Sequence, residues 1–150
     1  MAPLVSTIEI ASPPSEVFAY ATDPARFPEW QADVVDVRVD GPASPAKGSR
    51  FTTTRRISGT ERTMTQEITE DEAPRRWAAR GVDGPVRPTA TITVEPLDGG
   101  SRSRVTFTLD FAGHGIGVAL LPLVRRQAAK GAPVSYRTLK ERLEAGLTRS

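Results

Sequence analysis

The 150-residue chain has no cysteine, which removes disulfides, thiolate nucleophiles and Cys-based metal sites together. His114 is its only histidine, and one imidazole cannot build a multi-histidine metal centre. No metal site and no cofactor are therefore expected. Lysine occurs only at positions 47, 130 and 140, so arginine supplies most of the positive charge, and the net charge is only +2. The basic residues are spread among acids without aromatic interleaving, unlike a nucleic-acid footprint, and no nucleic acid is expected as a partner. No apolar run approaches the roughly 20 residues that span a bilayer. The opening stretch MAPLVSTIEI lacks a basic region followed by an apolar core. A cytoplasmic location without stable membrane insertion is the expectation. Gly-x-Ser-x-Gly, Walker and His-Glu-x-x-His motifs are absent, as are internal repeats, low-complexity tracts and linkers. Residues 1–150 then read as a single domain, present as a monomer or a homodimer.

What the chain does have is a long amphipathic stretch at its C-terminal end, from about Gly117 to Leu147. Leu120, Leu121, Val124, Ala128, Ala132, Tyr136, Leu139, Leu143 and Leu147 recur there in helical steps. They form one stripe, with Arg125, Arg126, Arg137, Lys140 and Arg142 available to the wet sides. Pro122 suits a first turn, whereas Gly131 and Pro133 predict a kink or break. Such a helix needs one receiving surface, and a curved antiparallel sheet supplies it.

The sheet is read from shorter periods. Residues 5–10 alternate as a first strand. Ser12 is expected to cap a helix with Pro13 at its first position and Glu16 at its positive end. Asp23-Pro24 starts a second short helix reaching Trp30. Val35, Val37 and Val39 alternate with charged residues, and residues 41–48 form a loop. Strands follow at about 50–57, 62–70, 75–82, 86–95 and 103–111, joined by short turns that dictate an antiparallel meander. Pro88 predicts an edge or a bulge. The order is β-α-α-β-β-β-β-β-β-α.

Strand parity selects the inward residues. Phe51, Thr53, Arg55 and Ile57 share one face, as do Met64, Gln66 and Ile68. Trp77 and Ala79, then Ala90, Ile92 and Val94, then Val105, Phe107, Leu109 and Phe111 complete an apolar surface. Its polar spot is Thr53, Arg55 and Gln66. Three readings of Arg55 stand: it reaches the sheet end and snorkels into water, a one-residue bulge turns it outward, or with Gln66 it orients the oxygens of a greasy ligand. Glu67, Glu95 and Asp110 take the outer parity, so a paired-carboxylate hydrolase has little support. Trp30 and Trp77 read as core or pocket wall, and Tyr20 and Tyr136 as packing groups able to offer a hydroxyl. His114, in Gly113-His114-Gly115-Ile116-Gly117, is either solvated or an acid/base at the pocket mouth. The glycines around it are expected to make a flexible joint.

Ile10-Ala11-Ser12-Pro13-Pro14-Ser15-Glu16-Val17-Phe18, Thr22-Asp23-Pro24, Phe27-Pro28-Glu29-Trp30, Gly48-Ser49-Arg50-Phe51 and Leu120-Leu121-Pro122-Leu123 carry a resemblance. The chain resembles the polyketide cyclase/dehydrase-like branch of the START-like (SRPBCC) superfamily over nearly its whole length. The resemblance implies an α+β helix-grip fold: a curved seven-stranded antiparallel sheet around a long C-terminal helix, with two short helices after strand one. It also implies an enclosed cavity. The superfamily includes cyclases, lipid carriers and hormone receptors, and no catalytic motif carries over residue by residue.

The functional expectation is binding of a small, largely apolar molecule such as a lipid, isoprenoid or polyketide-like compound. Arg55, Gln66, Thr53, Trp77, Trp30, Phe51, Met64, Ile92, Phe107 and Tyr136 are its candidate ligand-binding residues, and His114 the candidate acid/base. The alternatives are a lyase-like cyclase or dehydratase, with Arg55 or Gln66 holding an enolate oxygen, and a protein-partner module. The lack of inward acids favours binding over catalysis.

Overall fold

Alternation of apolar and polar side chains along the middle of the chain produces one antiparallel sheet, and the computed structural model describes it through residues 2–41, 45–57 and 59–146. Its strands are β1 (Leu4–Ile10), β2 (Val34–Asp40), β3 (Arg50–Ile57), β4 (Thr60–Glu72), β5 (Arg76–Gly81), β6 (Val86–Leu97) and β7 (Arg102–Gly113). The seven strands lie in the order β1-β7-β6-β5-β4-β3-β2. Each neighbouring pair is antiparallel. The meander runs from β2 to β7, and β1 adds to the free edge of β7. Helices α1 (Pro14–Ala21) and α2 (Phe27–Trp30) follow β1, and α3 (Gly117–Glu144) closes the chain. This is the helix-grip arrangement.

Strand parity holds across most of the sheet; it is corrected at the start of β2, where a register shift between Val34 and Asp36 buries Val34 and leaves Val35 41% exposed. Phe51, Thr53, Gln66, Ile68, Trp77, Ala79, Ile92, Val94, Val105 and Phe107 are all buried. Helix α3 rests on β7, β1 and β6, with Tyr136, Leu139 and Leu143 buried against the core. Burying each of those two leucines contributes about 2–3 kcal/mol. Leu147 and Ser58 lie outside the described residues, as do positions 42–44 of the loop between β2 and β3.

Four further local expectations are corrected. Ser12 does not cap α1: Pro13 holds the cap position and Pro14 the first turn. The Ser12 hydroxyl instead donates to the Leu143 carbonyl at 3.3 Å, and its carbonyl accepts from the Ser103 hydroxyl at 2.7 Å. That buried pair joins the β1–α1 corner to β7 and to the end of α3. Secondly, α3 is unbroken, with Pro122 and Pro133 both inside it. Pro133 withdraws one N–H from the ladder, but Ala129, four residues back, sits on an exposed turn where water can reach the released carbonyl. Thirdly, Pro88 is in an internal strand without a bulge: it pairs with Phe111 on β7. The β5 ladder ends one residue earlier, at Arg80 opposite Thr89, so no donor is missed on that side.

The last correction concerns the glycines before α3. A Cβ on Gly117 would lie 1.7 Å from the Pro85 carbonyl oxygen, and one on Gly113 would lie 2.6 Å from the Val118 nitrogen. The His114 N–H also donates to the Pro85 carbonyl at 2.8 Å. Gly117 permits close backbone approach of the β5–β6 turn to the start of α3, and Gly113 that of the end of β7 to the same turn of helix. They form a tight joint, not a loose one.

Candidate functional site

Asp23 accepts from the Ala25 N–H at 3.1 Å and turns the chain into α2. Two aromatic residues of α2 are thereby delivered onto the sheet. Phe27 meets Trp30, Phe51 and Trp77 edge-on, with ring centroids 5.9, 5.7 and 6.1 Å away. Trp30 reaches Phe107 at 6.2 Å, and Phe107 is stacked on Tyr136 of α3 at 3.8 Å. This run of rings links β3, α2, β7 and α3. Its hub, Phe27, was not among the candidate site residues, although it stands four residues after the Asp23 cap and three before Trp30.

The polar groups on this run are few. Trp30 is 3 % exposed, and its indole Nε1–H has no hydrogen-bond partner among the described residues. A buried donor without a partner costs about 1–3 kcal/mol. Thr53 and Gln66 are buried on the adjoining strands. The Tyr136 phenol is pushed up to about 12 by burial, while the charge of Arg55 pulls it weakly the other way. It is therefore a neutral hydroxyl at any physiological pH. Met64 is half-buried beside Thr53, and Ile92 lies within the core cluster with Trp77.

Arg55 does more than snorkel. Its guanidinium donates to Asp33 Oδ1 and to Gln31 Oε1, both at 2.8 Å, with its side chain 33 % exposed. Both partners come from the turn between α2 and β2, which strand parity does not reach. Ser135 on α3 is a further missed contact: its hydroxyl accepts from the Ala32 N–H at 3.0 Å and ties this turn to α3. Tyr20 also has a partner on each side, donating to Glu29 and accepting from Arg142 Nε, each at 2.8 Å. His114 is exposed at the β7–α3 turn and is not part of the buried cluster. Among the described residues no group of three or more His, Asp or Glu side chains could hold a metal ion.

Burial falls along the inner surface from one end to the other. Near the end of α3, the inward residues Phe51, Ile68, Val94, Val105, Leu139 and Leu143 are buried. Near its start, residues of the same inward parity are only half-buried: Ile57, Met64, Ala90, Leu109 and Phe111 on the sheet, and Leu120, Leu121, Val124 and Ala128 on α3. At that end helix and sheet leave inward-facing side chains partly open to solvent. Those side chains are apolar, and the buried Thr53, Gln66 and Tyr136 and the half-buried Arg55 are the polar residues nearest them on the inner face.

The sequence pattern of one protein family, described as polyketide cyclase / dehydrase and lipid transport, matches residues 1–147. The chain belongs to this family. Among solved structures, a START superfamily protein from Mycobacterium smegmatis matches the family member with a TM-score of 0.78 at 14% identity, over 97% of this chain and 99% of that one. The Zhui aromatase/cyclase from Streptomyces sp. R1128 matches with a TM-score of 0.77 at 16% identity, over 93% of each chain. The di-domain aromatase/cyclase BexL from the BE-7585A biosynthetic pathway matches with a TM-score of 0.74 at 20% identity. The present chain covers 47% of BexL, about one of its two domains. At these identities the likeness is one of fold. No curated protein matches the sequence. The family description agrees with a small-molecule role, and among the described residues no helix is long and apolar enough to cross a membrane.

Proposed function

We propose that this family member binds a small, largely apolar molecule, a lipid, isoprenoid or polyketide-like compound, between the sheet and the first half of α3. The loss of burial along inward-facing side chains carries the reading. Apolar walls with a few convergent polar groups are the usual make-up of a small-molecule site. The Trp30 indole N–H, the neutral Tyr136 hydroxyl and the Gln66 amide supply hydrogen bonds that would orient an oxygen of the ligand. Arg55, held by Asp33 and Gln31, places a fixed positive charge beside them.

One observation favours catalysis as the second reading. A phenol held protonated next to a fixed cation suits a reaction that develops charge on a carbonyl oxygen, as cyclisation of a polyketide-like chain does. Tyr136 would donate to that oxygen and Arg55 would stabilise it. The likeness to aromatase/cyclases supports this reading at the level of fold.

Native mass spectrometry of the protein purified from its own host tests the binding reading. A small molecule that stays bound in the native spectrum and leaves on denaturation is the expected result. Repeated recovery of the empty protein would contradict it. Incubation with the molecule so identified separates the two readings: a mass change in the ligand that is lost in Tyr136→Phe supports catalysis, and an unchanged ligand supports carriage.

A further inference from the structure

The outer face of α3 carries a pattern that core packing does not explain. Ile116, Leu123 and Val134 are 74%, 54% and 47% exposed. Their spacing along the sequence returns them to one stripe, opposite the stripe that holds Leu139 and Leu143. Arg126, Lys130 and Arg137, all exposed, interleave with them along the same line. No Asp or Glu occurs between Gly117 and Lys140. Arg125, by contrast, turns inward to Asp110 at 3.6 Å and is 15% exposed. Single exposed apolar residues are ordinary. Three on one helical stripe, accompanied from Ile116 to Arg137 by positive charge alone and by an acid, Glu141, only in the last turn, are not.

We propose that this stripe docks the protein reversibly on an anionic lipid bilayer. At a headgroup boundary, apolar side chains enter the acyl region while guanidinium and ammonium groups meet phosphates and carboxylates, each basic residue adding to the attraction. The two residue types along α3 match that layered environment. A second copy of the chain suits the stripe poorly, because a symmetric contact would set the same cations against each other. The contact is peripheral, since α3 is not apolar enough to cross a membrane. The inner side of its first half carries the half-buried Leu120, Leu121, Val124 and Ala128, so docking would hold that end of the protein at the lipid surface. The inference stands on the outer surface alone and does not require the binding reading.

The test is co-sedimentation of the full chain with vesicles of phosphatidylcholine alone and of equal parts phosphatidylcholine and phosphatidylserine. Binding to the mixed vesicles at low salt, with release near 1 M salt where the screening length is about 3 Å, is expected. The pair Arg126→Glu and Lys130→Glu should weaken binding at least about tenfold. Ile116→Ser with Leu123→Ser should weaken it with the charges intact. Unchanged thermal melts in both double variants would show that exposed positions, not the fold, were altered. Equal binding to both vesicle types, no binding to either, or binding insensitive to charge reversal would overturn the proposal. So would a Leu123-dependent dimer without vesicle binding, which would give the stripe to a second copy.

Discussion

Two glycines in one helix should respond to the same substitution with opposite signs. At Gly117, an alanine Cβ would fall 1.7 Å from the oxygen, 2.4 Å from the carbonyl carbon and 3.2 Å from the Cα of Pro85. These are backbone atoms, so no side chain can swing away. Ordinary contact needs about 3.5 Å between carbon atoms, so the β5–β6 turn must retreat by well over one ångström. That movement breaks the 2.8 Å bond from the His114 N–H to the Pro85 carbonyl. A lost hydrogen bond of about 1 kcal/mol and overpacking strain of about 1–3 kcal/mol give a destabilisation of about 2–4 kcal/mol. At Gly131 nothing lies within 4 Å of the added Cβ, and the position is inside α3. There alanine should stabilise by about 0.5–1 kcal/mol through helix propensity. Urea unfolding of the two variants measures both values. A Gly117→Ala protein as stable as the wild type would refute the close approach of the β5–β6 turn to α3.

Two further predictions concern the polar groups of the site. Arg55→Ala should cost only about 0.5–1 kcal/mol, because its ion pair with Asp33 is one-third exposed and screened by water; a loss above about 3 kcal/mol in chemical denaturation would mean a truly buried pair. Tyr136 has its folded pKa raised from 10.0 to about 12, so its contribution to stability is complete below pH 10 and is lost as the pH rises towards 12. Tyr136→Phe should flatten part of that alkaline decline in urea midpoints, leaving the part due to Tyr20, whose phenol is also raised, chiefly by burial; an alkaline profile identical to wild type would count against the buried phenol.

The parts of the molecule set by repetitive geometry were legible in the sequence. Period-two alternation placed Phe51, Gln66, Ile68, Val105 and Phe107 on the inner face, and helical steps placed Tyr136, Leu139 and Leu143 there too. The resemblance to cyclase-like proteins agreed with that order of elements. What escaped was decided by the path of the chain between elements. Asp33 and Gln31 reach Arg55 only because α2 turns back over the sheet, and no strand rule applies to that turn. Ser12 fits a cap by residue type, yet the proline pair after it moved the helix start and freed its hydroxyl for the Leu143 carbonyl. The glycines before α3 looked permissive in sequence, and only the neighbouring Pro85 and Val118 make them obligatory. Ser135 could have been found, since it is a hydroxyl beside Tyr136 on the inner side of an apolar stripe.

The central claim is that helix and sheet leave an apolar space open near the start of α3, and filling that space tests it most directly. Ala128 faces inward and is half-buried. The measurement is the thermal melt of Ala128→Trp together with its binding of 1-aminoanthracene, a small apolar fluorescent probe. An unfilled space accepts the indole, so the melting temperature should change little while probe affinity falls at least about tenfold, equivalent to about 1.4 kcal/mol. A packed interior would instead be strained by about 1–3 kcal/mol. A destabilised variant, or one that binds the probe as tightly as wild type, would contradict the account.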